Sequence, residues 1–485
     1  MNLKSLISSV GVLFRTSLVL KVGQLGYIAL MARLLTPEDF GVFAVIASSV
    51  MLGGSLITVG LVPSIIQRKS INYKHIESAV FFSLLISLLL LSFFFVGSIY
   101  IENYFSQKGL SNLLSIAGTV FPILAVSEIY TGILSRHKQF GDIAQVEIIS
   151  TVFGSWAVSI TLVLMGFGVW GLLYGLLAKE LVKLIANLFK SGFLFFPNWH
   201  FSYAKELFSF SFIVAFNRLC SQGAREVDVY VIGPVVGPDG LGLYSRAKTL
   251  ARLGSDMIGK SIQTVMFPAF SKIQNSEEKI QKGYAYTIRL SSAIAAFITG
   301  GIALLAEPFI LFFLGDQWGG AAPVLQAFSV LVYARIIFMN SHSLVLGLGK
   351  KVSVAIYSFL LLIVSTACVF YYKDLSISLI ALYLSLSVLG MSVGYFLYSI
   401  YLSGISLTRA FLDVLEPLFI VMMTFTAVDV LVLSELHLGS VLNLSVGLLS
   451  YLFVLLFCAY LVSLVRRDGV FSLIFDAIHK VLVKK

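Results

Sequence analysis

Long apolar stretches recur along this chain from residue 11 to residue 464. Each is near the length, about 20 residues, that carries a helix across a bilayer. About fourteen spans are expected on that rule: residues 11–33, 39–63, 76–100, 112–134, 143–166, 168–190, 206–232, 240–269, 284–314, 320–347, 352–372, 376–400, 410–433 and 439–464. Composition agrees: 12% of the 485 residues are charged and 58% hydrophobic, whereas a soluble domain carries about 25% charge. The mean hydropathy is +0.95. The fold class expected is therefore an all-α polytopic membrane protein.

The loops orient the spans. With Lys4 in the cytoplasm, alternate loops carry Arg68, Lys69 and Lys74; Arg136 and Lys138; Lys190 and Lys205; Lys272, Lys279 and Lys282; Lys350 and Lys351; and Arg409. The opposite loops hold Lys108 and Lys373, with Arg33 at a helix end. This alternation is the positive-inside pattern, and it places both termini in the cytoplasm. The net charge of +10 belongs to these loops and to residues within spans, so nucleic acid is not an expected partner. The first apolar stretch, interrupted by Arg15 and Lys21, is too long and too charged for a cleavable signal. Residues 466–485 alternate basic and apolar side chains; an amphipathic helix on the anionic inner leaflet and a frayed tail are both open readings.

Enzymatic classes find little support. The loops are short, about 12–16 residues at most, leaving no room for a soluble catalytic domain. There is no GxxxxGK[ST] phosphate loop. Cys220, Cys368 and Cys458 show no CxxC spacing, and the six histidines lack metal-ligand spacing. No cofactor and no metal are expected.

Two short segments resemble each other. TPEDFGVF (36–43) and GPDGLGLY (237–244) align on Pro37 and Pro238, pairing Glu38 with Asp239, Gly41 with Gly242 and Phe43 with Tyr244. Each joins the first and second spans of a six-span unit, and the two prolines lie 201 positions apart. An even number of spans per unit suggests two parallel repeats, with chance likeness of two turn sequences as the alternative. The expected organisation is a six-helix lobe over 1–200, a second over 201–405, helices 13 and 14 over 406–465, and a basic tail over 466–485.

Charges inside apolar spans cost at least a few kcal/mol, so each needs a partner or a watery cavity. Arg15 and Lys21 lie about 120° apart around the first helix; both can flank a cavity, and Arg15 can alternatively snorkel to the cytoplasmic surface. Arg218, Gln222 and Arg225 share one face of the seventh helix, beside Asn217, Ser221 and Asp228. The eighth carries Arg246, Lys248, Arg252, Asp256 and Lys260, either lining a cavity or neutralising one another at four-residue spacing. Arg289 and Arg335 read as lone cations, with a place near the cytoplasmic surface as the alternative for Arg289. Glu128 and Glu147 read either as carriers of a coupling proton or as partners of a cation such as Lys21. Glu307 and Glu416, each before a proline, suggest helix breaks. The excess of guanidinium and ammonium groups favours an anionic substrate, because guanidinium grips phosphate oxygens bidentately.

ARLLTPEDFGVFAV (32–45), GLYSRAKTL (242–250) and VMFPAFSKIQ (265–274) resemble the oligosaccharide flippases of the polysaccharide transport family, within the multidrug/oligosaccharidyl-lipid/polysaccharide exporter superfamily. The resemblance covers most of residues 1–400 in topology and two regions in motif. It implies two six-helix lobes plus two C-terminal helices, and alternating-access transport of an undecaprenyl-pyrophosphate-linked oligosaccharide for O-antigen, capsule or exopolysaccharide. Membrane lipids, a polysaccharide polymerase and a chain-length regulator are the partners it implies. Related lipid II flippases hold pyrophosphate with cations of the first and eighth helices; Arg15, Lys21, Arg246 and Arg252 occupy comparable places, with lysine at 21 where arginine is usual. A multidrug cation antiporter of the same superfamily is the rival reading. It calls for twelve helices and a dominant cavity carboxylate. A polymerase or ligase would need a large extracytoplasmic loop, and a structural membrane component would not need buried arginines.

Overall fold

A computed structural model describes residues 3–57, 61–68, 70–193, 195–209, 212–428 and 440–465. Every regular element among them is helical. In chain order these are α1 (Leu3–Leu34), α2 (Pro37–Ile57), α3 (Leu61–Gln67), α4 (Tyr73–Phe105), α5 (Leu110–Gly118), α6 (Val120–Arg136), α7 (Phe140–Ile149), a π-helical segment (Ser150–Ala157), α8 (Val158–Leu164), α9 (Val169–Ser191) and α10 (Phe201–Ser209). There follow α11 (Phe212–Ile273), α12 (Glu277–Phe313), a 3₁₀ turn (Asp316–Ala321), α13 (Ala322–Gly347), α14 (Lys351–Tyr372), α15 (Ile377–Ser403), α16 (Leu407–Val428) and α17 (Ser440–Val465). The tail 466–485 lies outside the described residues.

Ten helical stretches among the described residues are long and apolar enough to cross a membrane. The expected spans at 168–190, 206–232 and 240–269 are not among them. Their helices carry many charges: Lys179, Glu180 and Lys183 in α9, and the Arg218–Lys260 series in α11. Around the expected fourteenth span, only Ser445–Leu456 registers as a shorter apolar helix. Pro308 and Pro417 lie inside continuous helices α12 and α16, so the breaks expected there do not occur.

The chain divides into two compact units, Met1–Ser245 with Ser358–Lys373, and Arg246–Tyr357 with Asp374–Lys485. In the first, α3, α4, α6 and α10 share a core of Leu61, Ile65, Ala79, Val80, Ile129, Tyr130, Ile133 and Leu207. Helix α9 packs along α6, α7 and the π segment. At Gly154 the π segment runs so close to α9 that a Cβ would lie 2.8 Å from the Cα of Lys179. Helix α1 packs on α7, and the Tyr27 ring stacks on Trp156 at 5.8 Å.

The paired motifs meet inside this unit. Thr36 caps α2: its Oγ1 accepts from the Asp39 N–H at 3.3 Å, while Asp39 Oδ2 accepts from the Thr36 N–H at 3.1 Å. Proline follows at the first helical position, where its missing N–H costs nothing. The second motif starts its helix differently. Gly237 interrupts α11 at φ 70°, ψ 177°, a conformation that side-chain-bearing residues avoid, and Pro238 restarts it. The Cα of Gly41 faces the carbonyl oxygen of Pro238, and the Cα of Gly242 faces that of Pro37; a Cβ at either glycine would overlap the facing oxygen. The contact is reciprocal, each glycine against the other copy's proline.

In the second unit, α13 packs between α12 and α15. The buried Tyr284 hydroxyl of α12 bonds both Ser341 Oγ of α13, at 2.9 Å, and Ser399 Oγ of α15. Helices α16 and α17 pack on the same α12. Arg289 Nε donates to Asp413 Oδ2 at 2.9 Å, Ser292 Oγ to the Asp413 carbonyl at 2.7 Å, and Tyr451 OH to the Phe297 carbonyl at 2.8 Å. Arg289, expected as a lone cation, is thus half of a buried ion pair.

Candidate functional site

Two polar clusters of the first unit contain residues singled out in the sequence. One lies on residues 212–236 of α11 and on α2. Arg218 is exposed and makes no ion pair with a described residue. One turn on, Gln222 Nε2 donates to Glu226 Oε1 at 3.3 Å. The buried Glu226 also accepts from Ser48 Oγ of α2 at 2.9 Å. Asp228, buried too, accepts from Tyr244 OH at 2.8 Å and from the Val229 N–H at 2.9 Å. Tyr230 and Ser49 share a hydrogen bond of 2.7 Å, and Asn217 Oδ1 accepts from Ser358 Oγ at 2.6 Å. Arg225 is half-buried. The Arg218–Gln222–Arg225 stripe therefore has an open cationic end at Arg218, and Gln222 leads toward a buried carboxylate. In α1, Lys21 is half-buried; the side chain of Arg15 lies outside the described residues.

The second cluster lies where α6, α7 and α9 meet. Lys183 Nζ contacts Glu128 Oε1 at 2.7 Å, and Lys179 Nζ contacts Glu147 Oε1 at 3.2 Å. Of the two readings of Glu128 and Glu147, cation pairing is present, with α9 lysines as the cations. Glu180 stands between those lysines in sequence, and its Oε2 is buried without a hydrogen-bond partner. Nearer the helix end, Lys190 Nζ contacts Asp142 Oδ1 at 2.9 Å.

In the second unit, Asp256 takes two cations: Arg335 Nη2 at 2.9 Å on Oδ1 and Lys260 Nζ at 2.7 Å on Oδ2. Arg335, expected as a lone cation, is paired, and its side chain is 13% exposed. Arg252, expected within the Asp256–Lys260 series, is half-buried, as is Arg246; Lys248 is buried.

Several of these partners were not singled out in the sequence. Lys179, Glu180 and Lys183 carried a signal, three charges within five residues of an apolar stretch. Glu226 stands four residues after Gln222 and on its face. Asp413 carried none, because its partner Arg289 is 124 positions away. Among the described residues no group of three or more His, Cys, Asp or Glu side chains is placed to hold a metal ion.

Comparison with known proteins adds a family. Residues 30–323 match the family described as polysaccharide biosynthesis protein. The chain is 26% identical over 330 residues to the succinoglycan biosynthesis transport protein ExoT of Rhizobium meliloti, covering 67% of this chain and 65% of that one, just under two thirds of the relative's length. It is 21% identical over 418 residues to the teichuronic acid biosynthesis protein TuaB of Bacillus subtilis, covering 84% of each. Among solved structures it resembles the lipid II flippase MurJ in an inward closed conformation, with a TM-score of 0.78, 16% identity, and coverage of 94% of this chain and 99% of that one. At that identity the likeness is one of fold.

Proposed function

This chain belongs to the polysaccharide biosynthesis protein family, within the multidrug/oligosaccharidyl-lipid/polysaccharide exporter superfamily, and on that premise we propose that it flips a lipid-linked, anionic glycan across the bacterial inner membrane. The cargo in this reading is an undecaprenyl-pyrophosphate-linked oligosaccharide, moved from the cytoplasmic to the outer leaflet by alternating access. The architecture is fourteen spans, as two six-helix halves and two further helices, with both termini cytoplasmic. The transported unit then passes to a polymerase and its chain-length regulator.

The observation that carries the reading is Arg218, an exposed guanidinium on α11 with no carboxylate paired to it among the described residues. A structural cation in such a place takes an anionic partner, as Arg289 and Arg335 do. One left unpaired suits a phosphate that comes and goes. Lys21, Gln222 and Arg225 of the first unit, and Arg246, Arg252 and Arg335 of the second, are the other groups proposed to contact the cargo. Arg335 would do so while bound to Asp256. Glu128 and Glu147 are proposed to serve ion coupling through their lysine partners.

The test is a proteoliposome assay following a fluorescent undecaprenyl-pyrophosphate oligosaccharide into a quencher-accessible leaflet. Arg218→Ala is expected to slow flipping at least about tenfold, the loss of one charge-assisted contact of about 1.5–3 kcal/mol. Arg218→Lys should retain part of the rate. Equal rates for wild type and Arg218→Ala would overturn the assignment of Arg218, and transport of an organic cation in place of the lipid would overturn the function.

A further inference from the structure

The cluster on α6, α7 and α9 has an uneven charge count. Glu128, Glu147 and Glu180 supply three carboxyl groups; Lys179 and Lys183 supply two ammonium groups. Two carboxylates are satisfied, Glu128 by Lys183 and Glu147 by Lys179. Glu180 is left over, with a buried oxygen that no described group bonds. Among the described residues, the other elements packed on α9 supply no spare cation. Leu110–Gly118, Ser150–Ala157 and Val158–Leu164 contain no ionisable side chain, and α2 has only Glu38 and Asp39 in its first turn. On α6, the Tyr130 hydroxyl accepts from the Phe195 N–H at 3.1 Å, and Arg136 donates to the carbonyls of Ile65 and Arg68. Asp142 of α7 is held by Lys190.

A third negative charge in a low-dielectric site is costly, and a proton removes it. Lys183 also lies three residues after Glu180 on the same helix, the spacing at which helical side chains meet. One ammonium therefore has two carboxylates within reach, Glu128 on the neighbouring helix and Glu180 on its own. We propose that Glu180 is an exchangeable proton site, and that its protonation decides which of these two carboxylates Lys183 holds. A proton from water forms the O–H bond at Glu180 Oε2, and the Lys183 ammonium, unchanged in charge, stays on Glu128 and ties α9 to α6. When Glu180 releases that proton to water, the ammonium is shared back toward Glu180 and the tie to α6 loosens. This goes beyond the role proposed for Glu128 and Glu147 in naming the group that takes the proton. It stands independently of what the cargo is.

Infrared difference spectroscopy of the purified full chain in lipid nanodiscs, titrated with pH, reads the protonated carboxyl group directly. Wild type is expected to show a carboxylic-acid C=O band that titrates. Glu180→Gln should abolish it, and Glu180→Asp should displace its frequency, which keeps the test available if the glutamine variant fails to fold. Glu128→Gln frees Lys183 for Glu180, so the midpoint should fall by at least about one pH unit, a tenfold loss of proton affinity. A merely structural glutamate would not answer to its neighbour in that way. The proposal is overturned if the wild-type band is absent or does not titrate, if it survives Glu180→Gln, or if Glu128→Gln leaves the midpoint in place. In proteoliposomes, Glu180→Gln should also abolish the stimulation of flipping by an imposed pH gradient; persistence of that stimulation overturns the coupling. Wild-type protein that titrates but moves no glycan lipid would count against the transport reading and leave the proton site standing.

Discussion

Substituting alanine for Gly41 reverses the usual expectation for a helix. In an open helical position Gly→Ala stabilises by about 0.5–1 kcal/mol, because glycine has more freedom to lose on folding. At Gly41 the new methyl would overlap the Pro238 carbonyl oxygen. That oxygen is main chain, and Pro238 follows a break fixed by Gly237, so it cannot rotate aside as a flexible side chain would. Overpacking of this kind costs about 1–3 kcal/mol. Offset by the gain in helix propensity, the net loss is about 1–2 kcal/mol, or about 5–30-fold in the population of the crossed arrangement. Gly242→Ala should cost a similar amount against the Pro37 carbonyl. The double variant should lose less than the sum of the two, since parting the crossing once relieves both overlaps. Gly394→Ala is the control: Gly394 lies inside α15 with nothing within 4 Å of its would-be Cβ, so it should be neutral or stabilising. Thermal unfolding in detergent, followed by tryptophan fluorescence, measures all four. If Gly41→Ala and Gly242→Ala raise the midpoint as Gly394→Ala does, the reciprocal contact is not what holds these helices together.

Other substitutions probe the ion pairs. Asp413→Ala leaves Arg289 buried without its carboxylate and should cost about 3–5 kcal/mol, read as a lower unfolding midpoint, while the paired replacement Arg289→Met with Asp413→Leu should recover most of the loss. Asp256→Ala takes the carboxylate from Arg335, whose side chain is 13% exposed, and should destabilise more than Arg335→Met, which leaves Asp256 with Lys260. The exposed Glu206 carboxyl is held below its ordinary range by hydrogen bonds from Arg68 first and His75 second. A lowered acid contributes stability above its unfolded value and loses it as pH falls through the folded one, so hydrogen exchange in 61–68 and 201–209 should quicken below about pH 4. Glu206→Gln should remove that dependence.

The membrane class and the helical content were legible because span length and apolar content suffice for them. The TPEDFG and GPDGLG segments were legible as similar in sequence. Their mutual contact was not, because pattern similarity does not say that two copies touch. The Arg218–Gln222–Arg225 stripe was correctly placed on one helix. Its division into an exposed end and an end beside Glu226 depends on how α2 is rotated against it. The same limit applied to Arg289 and Arg335: each looked solitary along the chain, and each has a carboxylate from a helix remote in sequence. Intramembrane charge is visible one helix at a time, whereas neutralisation is a property of helix pairs.

Helix α9 bears on how such a chain is made. Each lysine or acidic residue near the middle of a span adds about 2.5–3.5 kcal/mol to the free energy of its insertion as a single helix, and α9 carries Lys179, Glu180 and Lys183. The partners that neutralise its lysines, Glu128 and Glu147, belong to helices synthesised just before it. As α9 leaves the ribosome its complement is therefore already built, and the order of synthesis favours retention of α6 and α7 beside the insertion machinery until α9 joins them. The cluster then acts during biogenesis as an address, directing a helix too polar to partition alone to the place where it is soluble.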